Sequence, residues 1–312
     1  MTATAHDTTQ RMQVRNAGRD DDASLMALDA TAPQPGVNPV YRPHSFFGRA
    51  GLYENSRVLI ASQGGVVAGA AAGAVKPVHW AGGRRNAGHV FSVRVAPAQR
   101  RSGVARALLT ELHDWFTHEN AVAYCLVGER NEASRRLFAA AGYRDVATAA
   151  YLVARPSKPA AGNTVLVDAA TNPQWHARVI APSLSRDLCP VNLRDVVYAQ
   201  AAYLGTLVTE SGEAWLSAWD KDSAVGREAV LPSDRSVFLF DLQVRDAPAW
   251  RELIAAVFAR WPWAGRAIVF TAAANAARLS LEHDTVLDRR EIVMARMPEG
   301  FAAATPYLDV RD

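Results

Sequence analysis

The stretch that most constrains this chain is Val-Arg-Val-Ala-Pro-Ala-Gln-Arg-Arg-Ser-Gly-Val-Ala-Arg, Val93 to Arg106. A β-pattern stops at Pro97, and arginines and a glycine then open a helix. A helix start leaves its first backbone N–H groups unpaired and carries about half a positive charge from the macrodipole, so it attracts an anion. Gly103 and Ala105 let the backbone come close to that anion. Basic residues in a first turn oppose the dipole and want a reason, which a bound diphosphate supplies. The plainer alternative, an amphipathic helix with a basic first turn, leaves the arginines unexplained. Neither the Gly-x-x-x-x-Gly-Lys-Ser/Thr loop nor the three-glycine dinucleotide turn is present.

A second pattern lies downstream. Residues Ala105 to Glu119 put Leu108, Leu109, Leu112, Trp115 and Phe116 on one helical face, which predicts burial against a sheet. Ala121 to Val127 reads as a buried strand, and Glu129-Arg-Asn-Glu-Ala-Ser-Arg-Arg-Leu-Phe-Ala-Ala-Ala-Gly-Tyr143 follows it as a second helix-bearing motif.

At 312 residues the chain is twice the length of a typical domain, so two are expected. A net charge of +3 is too small to argue for nucleic acid. The two cysteines, Cys125 and Cys189, lie in different halves, with no Cys/His cluster to hold a metal. Met1 to Gln10 lacks an apolar core and reads as part of a disordered tail, 1–11, rather than a signal peptide. Val66 to Val75 is too short to span a bilayer. A cytoplasmic protein without metal, membrane or nucleic-acid partner is expected.

Met12 to Arg15 predicts a first strand and Asp20 to Asp29 a helix. Thr31 to Ala50 predicts a loop, and Arg57 to Ser62 with Val66 to Val75 a hairpin. Lys76 to Gly88 reads as a second long loop, His89 to Val95 as the central strand, and Thr148 to Ala154 as the strand that closes the half. After linker composition ending at residue 163, the order repeats. Thr164 to Ala169 reads as a strand, Gln174 to Ile180 and Leu193 to Tyr203 as helices, and Leu204 to Thr209 with Ala214 to Trp219 as a hairpin. Ser236 to Val244, Ala267 to Phe270 and Ile292 to Met297 read as strands, Trp250 to Trp261 as a helix, and Asn275 stands where Asn131 stands in the first half. After Pro248 come Ala-Trp-Arg-Glu-Leu, bulky or acidic where a diphosphate needs space and positive potential.

The two motifs resemble those of the GCN5-related N-acetyltransferases (GNAT): Val-x-Pro-x-x-Arg-x-x-Gly-x-Gly/Ala for the first, Asn-x-x-Ala-x-x-Leu-Tyr-x-x-x-Gly-Phe for the second. The whole chain further resembles the plant hookless family of N-acetyltransferases. That likeness rests on Phe91 to Gly103, Trp115-Phe116, Gly128 to Phe138 and, more weakly, Leu204 to Val208 and Trp215 to Trp219. The resemblance implies an α/β (α+β) protein of two tandem GNAT-like domains, 12–156 and 164–312, joined by a linker, 157–163. Each would be a mixed, mostly antiparallel sheet flanked by helices, the second degenerate.

By the same resemblance, acetyl-coenzyme A is the acyl donor and an amine, of a small molecule or a protein, the acceptor. The coenzyme would lie in a gap between the strand ending at Val95 and the strand ending near Gly128. Backbone groups of Val93, Arg94 and Val95 would pair with the pantetheine. Arg101, Ser102, Gly103, Val104, Ala105 and Arg106 would wrap the diphosphate, Arg100 or Arg101 adding a charged fork, and Asn131 would hold the pantetheine arm. Glu129 and then His89 are the candidates for taking the amine's proton; a solvated helix-start carboxylate and a structural histidine are the competing readings. Phe138 stands where many members have the tyrosine that protonates the departing thiolate; Tyr124 and Tyr143 are substitutes if they are not core. Tyr41, Arg42 and His44 lie where the family builds its acceptor wall. The second half either completes that wall or forms a homodimer face.

Overall fold

The computed structural model describes residues 12–32, 41–156, 163–244, 246–272, 279, 285–296 and 306–308. The expected tail, nearly all of the linker, and Asn275 lie outside the described residues. In the first half the period-two segments form β1 (Gln13–Asn16), β2 (Tyr41–Pro43), β3 (Asn55–Gln63), β4 (Val66–Trp80), β5 (Gly83–Val95), β6 (Ala121–Gly128) and β7 (Arg144–Ala154). The helical-period segments form α1 (Asp22–Thr31), α2 (Val104–His118) and α3 (Glu132–Ala140).

The second half opens with β8 (Thr164–Val167) and a helix in pieces: α4 (Pro173–Trp175), a π-turn at His176–Ile180 and α5 (Ala181–Ser183). After β9 (Cys189–Pro190), the expected helix at Leu193 to Tyr203 is reduced to a π-turn, Arg194–Tyr198. Then come β10 (Tyr203–Thr209), β11 (Trp215–Trp219), α6 (Lys221–Ala224), β12 (Arg227–Ala229) and β13 (Ser236–Gln243). α7 (Ala247–Arg260), β14 (Arg266–Ala272) and β15 (Thr285–Arg296) complete the order.

One 13-stranded mixed sheet runs through both halves in the order β1-β3-β4-β5-β6-β15-β7-β14-β13-β11-β10-β8, with β9 beside β4. β5/β6 and β13/β14 are parallel and the other pairs antiparallel. Each closing strand closes the other half. β15 pairs with β6 (Met294 opposite Cys125), and β7 pairs with β14 (Leu152 opposite Val269). The two strands also pair with each other from Thr285/Ala154 to Ala295/Arg144. Chain order suggests that consecutive strands are neighbours, and an apolar alternation names a strand without naming its partner, so the exchange has no local sequence signature.

Helices α2 and α3 pack on one face of the first half and α7 on the same face of the second. α1 and the segment from Trp175 to Tyr198 cover the opposite face. The expected face of α2 is buried as Leu108, Leu109, Leu112, Trp115 and Phe116, each side chain contributing about 1.5–3 kcal/mol by transfer from water. The helix sits so close that a Cβ on Gly88 would meet the Phe116 ring at 2.6 Å.

The expected loop Lys76 to Gly88 is instead hairpin. β4 continues to Trp80 and β5 begins at Gly83, turning through Ala81 and Gly82, both at positive φ. Its tip is held by the second half: β9 pairs with Val78 and His79, and Asp187 accepts from Ala81 N at 2.6 Å. Pro77 and the glycines read as loop, yet residues 76–80 pair with residues 83–87 across the turn, and β9 adds a distant partner at Val78 and His79. No helix among the described residues is long and apolar enough to cross a membrane.

Candidate active site

β5 and β6 run as a parallel pair from Asn86/Ala121 to Val90/Cys125, where the pairing ends. Beyond it, Phe91 to Val95 keep only β4, and Leu126 to Gly128 keep only β15. The strands part at a bulge: Ser92, at φ 51°, and Val93 stand against the single residue Ala71. Backbone groups of Val93 to Val95 therefore face a gap rather than a neighbouring strand, an edge that an extended ligand can pair with. The Arg94 side chain is committed elsewhere, its Nε donating to Asp29 Oδ1 at 2.5 Å and tying α1 to the bulge.

At the mouth of the gap the chain turns through Pro97–Gln99, and Ser102 Oγ donates to Gln99 O at 2.6 Å. Arg101 is at φ 67° and Gly103, the N-cap of α2, at φ 89°. After Arg100 the first backbone N–H to find an acceptor is that of Ala107, on Gly103 O at 3.0 Å. The N–H groups of Arg101 to Arg106 thus have no acceptor among the described residues. A Cβ added at Gly103 would meet nothing within 4 Å. Arg100, Arg101 and Arg106 are exposed and carry no ion pair among the described residues. Donors without an acceptor among the described residues, open space and three exposed guanidinium groups are what an anion such as a diphosphate would need.

Asn131 caps α3, its Oδ1 accepting from Ser134 N at 3.1 Å. Its amide nitrogen has no acceptor among the described residues. Glu129 lies exposed just past β6, its backbone N–H bonded to Arg290 O at 3.0 Å. His89 lies below the point where the strands part, 1 % exposed, stacked on Tyr124 at 4.6 Å with Nδ1 3.1 Å from the Tyr53 hydroxyl. Phe138 is buried in the α2/α3 layer, edge-on to Tyr143. Tyr143 itself is core: its hydroxyl is 2.9 Å from His113 Nε2, and burial pushes its phenol well up. Tyr124 is fully buried as well. Neither tyrosine reaches the gap to replace the missing hydroxyl of position 138.

Of the expected acceptor wall, Tyr41 is held by the second half. Its hydroxyl is 2.7 Å from Ser236 Oγ and accepts from Arg266 Nη2 at 2.7 Å, and Arg227 lies over its ring. β2 pairs with β12, Arg42 opposite Glu228, and His44 N donates to Gly226 O. The Arg42 and His44 side chains remain exposed.

The structure also brings together groups that a reading in chain order could not find. β15 sets Glu291 opposite Gly128 on one side and Ala149 on the other, at the end of β6 beside the gap. Glu291 Oε1 is 3.4 Å from Arg289 Nε, and its side chain is 17 % exposed. Arg289 stacks on Tyr151 at 4.2 Å, and burial, then the Glu291 carboxylate, push that phenol well up. Arg49 lies 4.8 Å above the Phe91 ring on the other lip. All stand on the face opposite α2.

The second half repeats the geometry. β13 and β14 are parallel as far as Leu239/Val269 and then part. Asp241, at φ 50°, and Leu242 bulge against Leu216 as Ser92 and Val93 do against Ala71. The opening is a cavity of about 210 Å³ lined by Thr148, Ala149, Phe240, Asp241, Phe270 and Tyr307 among others. Asp241 accepts from Ser183, Tyr198 and Tyr307 hydroxyls at 2.9, 2.6 and 2.8 Å, and burial pushes its carboxyl up. Here no anion cradle follows. Asp246 caps α7 with its own carboxylate, accepting from Ala249 N at 2.8 Å.

Among proteins of curated function no sequence matches this chain. In structure it is similar to a GCN5-related N-acetyltransferase from Sphaerobacter thermophilus (TM-score 0.61, 14% identity, 96% of this chain and 98% of that one). It is also similar to one from Anabaena variabilis (TM-score 0.56, 13% identity, 91% and 72%). A tandem GNAT protein from the clavulanic acid biosynthesis pathway aligns over 93% of this chain and 100% of its own length (TM-score 0.55, 14% identity). At such identities the likeness is one of fold. The family model of the acetyltransferase (GNAT) family matches residues 24–143, the part that holds the gap and the turn before α2.

Proposed function

We propose that the first half binds acetyl-coenzyme A and transfers its acetyl group to a primary amine. The observation that carries the reading is the parting of β5 and β6 at Val90/Cys125 with unpaired N–H groups and free arginines at its mouth. In this reading Arg101 to Arg106 hold the diphosphate, the edge of β5 from Val93 to Val95 pairs with the pantetheine, and Asn131 steadies its arm. The thioester then points back toward Phe91. The acceptor nitrogen attacks the carbonyl carbon, the amide bond forms, the carbon–sulfur bond breaks, and the sulfur leaves with the electron pair. The amine must first be neutral. With a free pKa near 10.4, holding it so at pH 7 costs about 4–5 kcal/mol, which makes a base useful. Arg42 and His44 are the exposed candidates for contact with the acceptor. We further read the chain as two copies of one domain, 12–156 and 164–312, organised like the hookless family, of which only the first binds coenzyme.

Incubating the protein with acetyl-coenzyme A and a panel of amines, while following free thiol, tests the transfer; thiol release on at least one amine is expected. Phe138 favours one other reading, a catalytically weak acetyl-coenzyme A binder that regulates or scaffolds. Tight binding with no thiol release on any acceptor supports that reading instead.

A further inference from the structure

We propose that Glu291, supplied by the second half through the exchanged strand β15, is the base that takes the proton of the acceptor amine in the first half's site. The inference rests on the proposed acetyl transfer and adds the residue that serves it. The two halves repeat one strand arrangement. In each half the parallel pair ends at one residue of the inner strand, Cys125 or Val269. Three residues further along that strand, Gly128 pairs with Glu291 and Ala272 with Ala149. Positions 291 and 149 are thus equivalent. Ala149 lines the 210 Å³ cavity that opens where β13 and β14 part. Glu291 therefore borders the corresponding space of the first half, between Phe91 on one lip and Gly128 on the other, where the thioester would end.

The surroundings suit a base. The charged and titratable groups around Glu291 are Arg289, Arg290 and Asp288 on its own strand, Tyr151 on β7, Arg49 before β3, and Glu129 past β6. Arg289 Nε lies 3.4 Å from Glu291 Oε1 and so holds the carboxylate in place on its strand. Arg289 and Tyr151 act as positioning residues, one holding the carboxylate and the other packing beneath the guanidinium. In the reaction the amine proton passes to a Glu291 oxygen as the carbon–nitrogen bond forms, and solvent removes it after the thiolate has left. In the second copy the equivalent residue is alanine, and the cradle is absent from the same half.

The test compares Glu291→Gln, Glu291→Asp and Glu129→Gln with the unaltered protein, on whichever amine releases thiol fastest. Coenzyme affinity by calorimetry should be unchanged in E291Q, which also reports that the variant folds. At pH 7 its kcat should fall about 10²-fold or more. The rate should then climb roughly tenfold per pH unit toward the amine's own pKa, where the unaltered protein levels off. E291D should recover part of the loss. A full rate and an unaltered pH profile in E291Q, or the pH-dependent loss appearing in E129Q instead, overturns the assignment. Absence of transfer by the unaltered protein on every amine overturns the proposed function first, and the base with it.

Discussion

The two helix starts, α2 and α7, follow the same bulged strand in two copies of one arrangement, and only one of them can receive a multiply charged anion. At α2 the N-cap is a left-handed glycine with open space where a side chain would stand, and the N–H groups that follow have no acceptor among the described residues. At α7 the N-cap is Asp246, whose carboxylate already accepts from Ala249 N. A carboxylate built into the helix satisfies the dipole for good; a glycine leaves it available. Equivalent bulges at Ser92 and Asp241 put the same strand geometry ahead of both helix starts, the open one and the capped one. What separates the proposed coenzyme site from its counterpart before α7 is a handful of residues in one turn.

The most severe break of that contrast is Gly103→Glu. It fills the cradle with negative charge and forces a side chain into φ 89°, so coenzyme binding by calorimetry should vanish while the fold of the second half, followed by hydrogen exchange in β13, persists. Arg101→Ala removes one charged fork and should weaken binding by about 1.5–3 kcal/mol; unchanged affinity in both variants defeats the cradle.

Acid should part the halves next. His113, on α2, is held down to about 4 by burial and then by Arg296, below its ordinary 6.5. The unfolded chain binds that proton first, so the contribution is full above about pH 6.5 and is lost as pH falls toward 4. After allowance for solvent screening of a half-exposed ring this amounts to about 1–2 kcal/mol. Asp241 has the opposite sign. Its carboxyl is raised on folding, so its protonated form favours the fold below its unfolded value and that favour is lost as pH rises through the folded one. Hydrogen exchange at pH 4.5 should loosen α2 around His113 before β13; equal loosening removes the distinction. The smallest effect is expected from Asp246→Ala, about 1 kcal/mol of stability by loss of a cap, with coenzyme affinity unchanged. Gain of coenzyme binding in that variant would make Asp246 alone the barrier.

Much of this was written locally. The cradle, the face of α2, the hairpin signals and the capping Asn131 depend on neighbours within a few residues, so Val93 to Arg106 could be read as an anion site directly. The mixed, mostly antiparallel sheet is what the family resemblance implies, not what those local patterns spell out. The hairpin across residues 76–88 is masked in the sequence because Pro77, Gly82, Gly83 and Gly88 are loop residues by composition, and the second-half strand β9 that also pairs with it lies far along the chain. Tyr41 reads as a wall residue until Ser236 and Arg266 take its hydroxyl. Glu291 was invisible for a related reason. Its strand is plain in the apolar run from Ile292, yet nothing in that run says it lies against β6. Sites assembled by strand exchange are carried by register, and register is a property of pairs of distant segments.

The interleaving of β15 between β6 and β7 also bears on how the chain reaches its folded state. During synthesis β6 emerges without the partner that will cover its outer edge, since every strand of the second half is made before Thr285–Arg296 appears. Until then the exposed edge invites pairing with other chains. The late, non-local closure also weighs against rapid folding. A product truncated before β15 would keep the turn at Gly103 and lack the strand beside Gly128, so a strand made late in the second half completes the first.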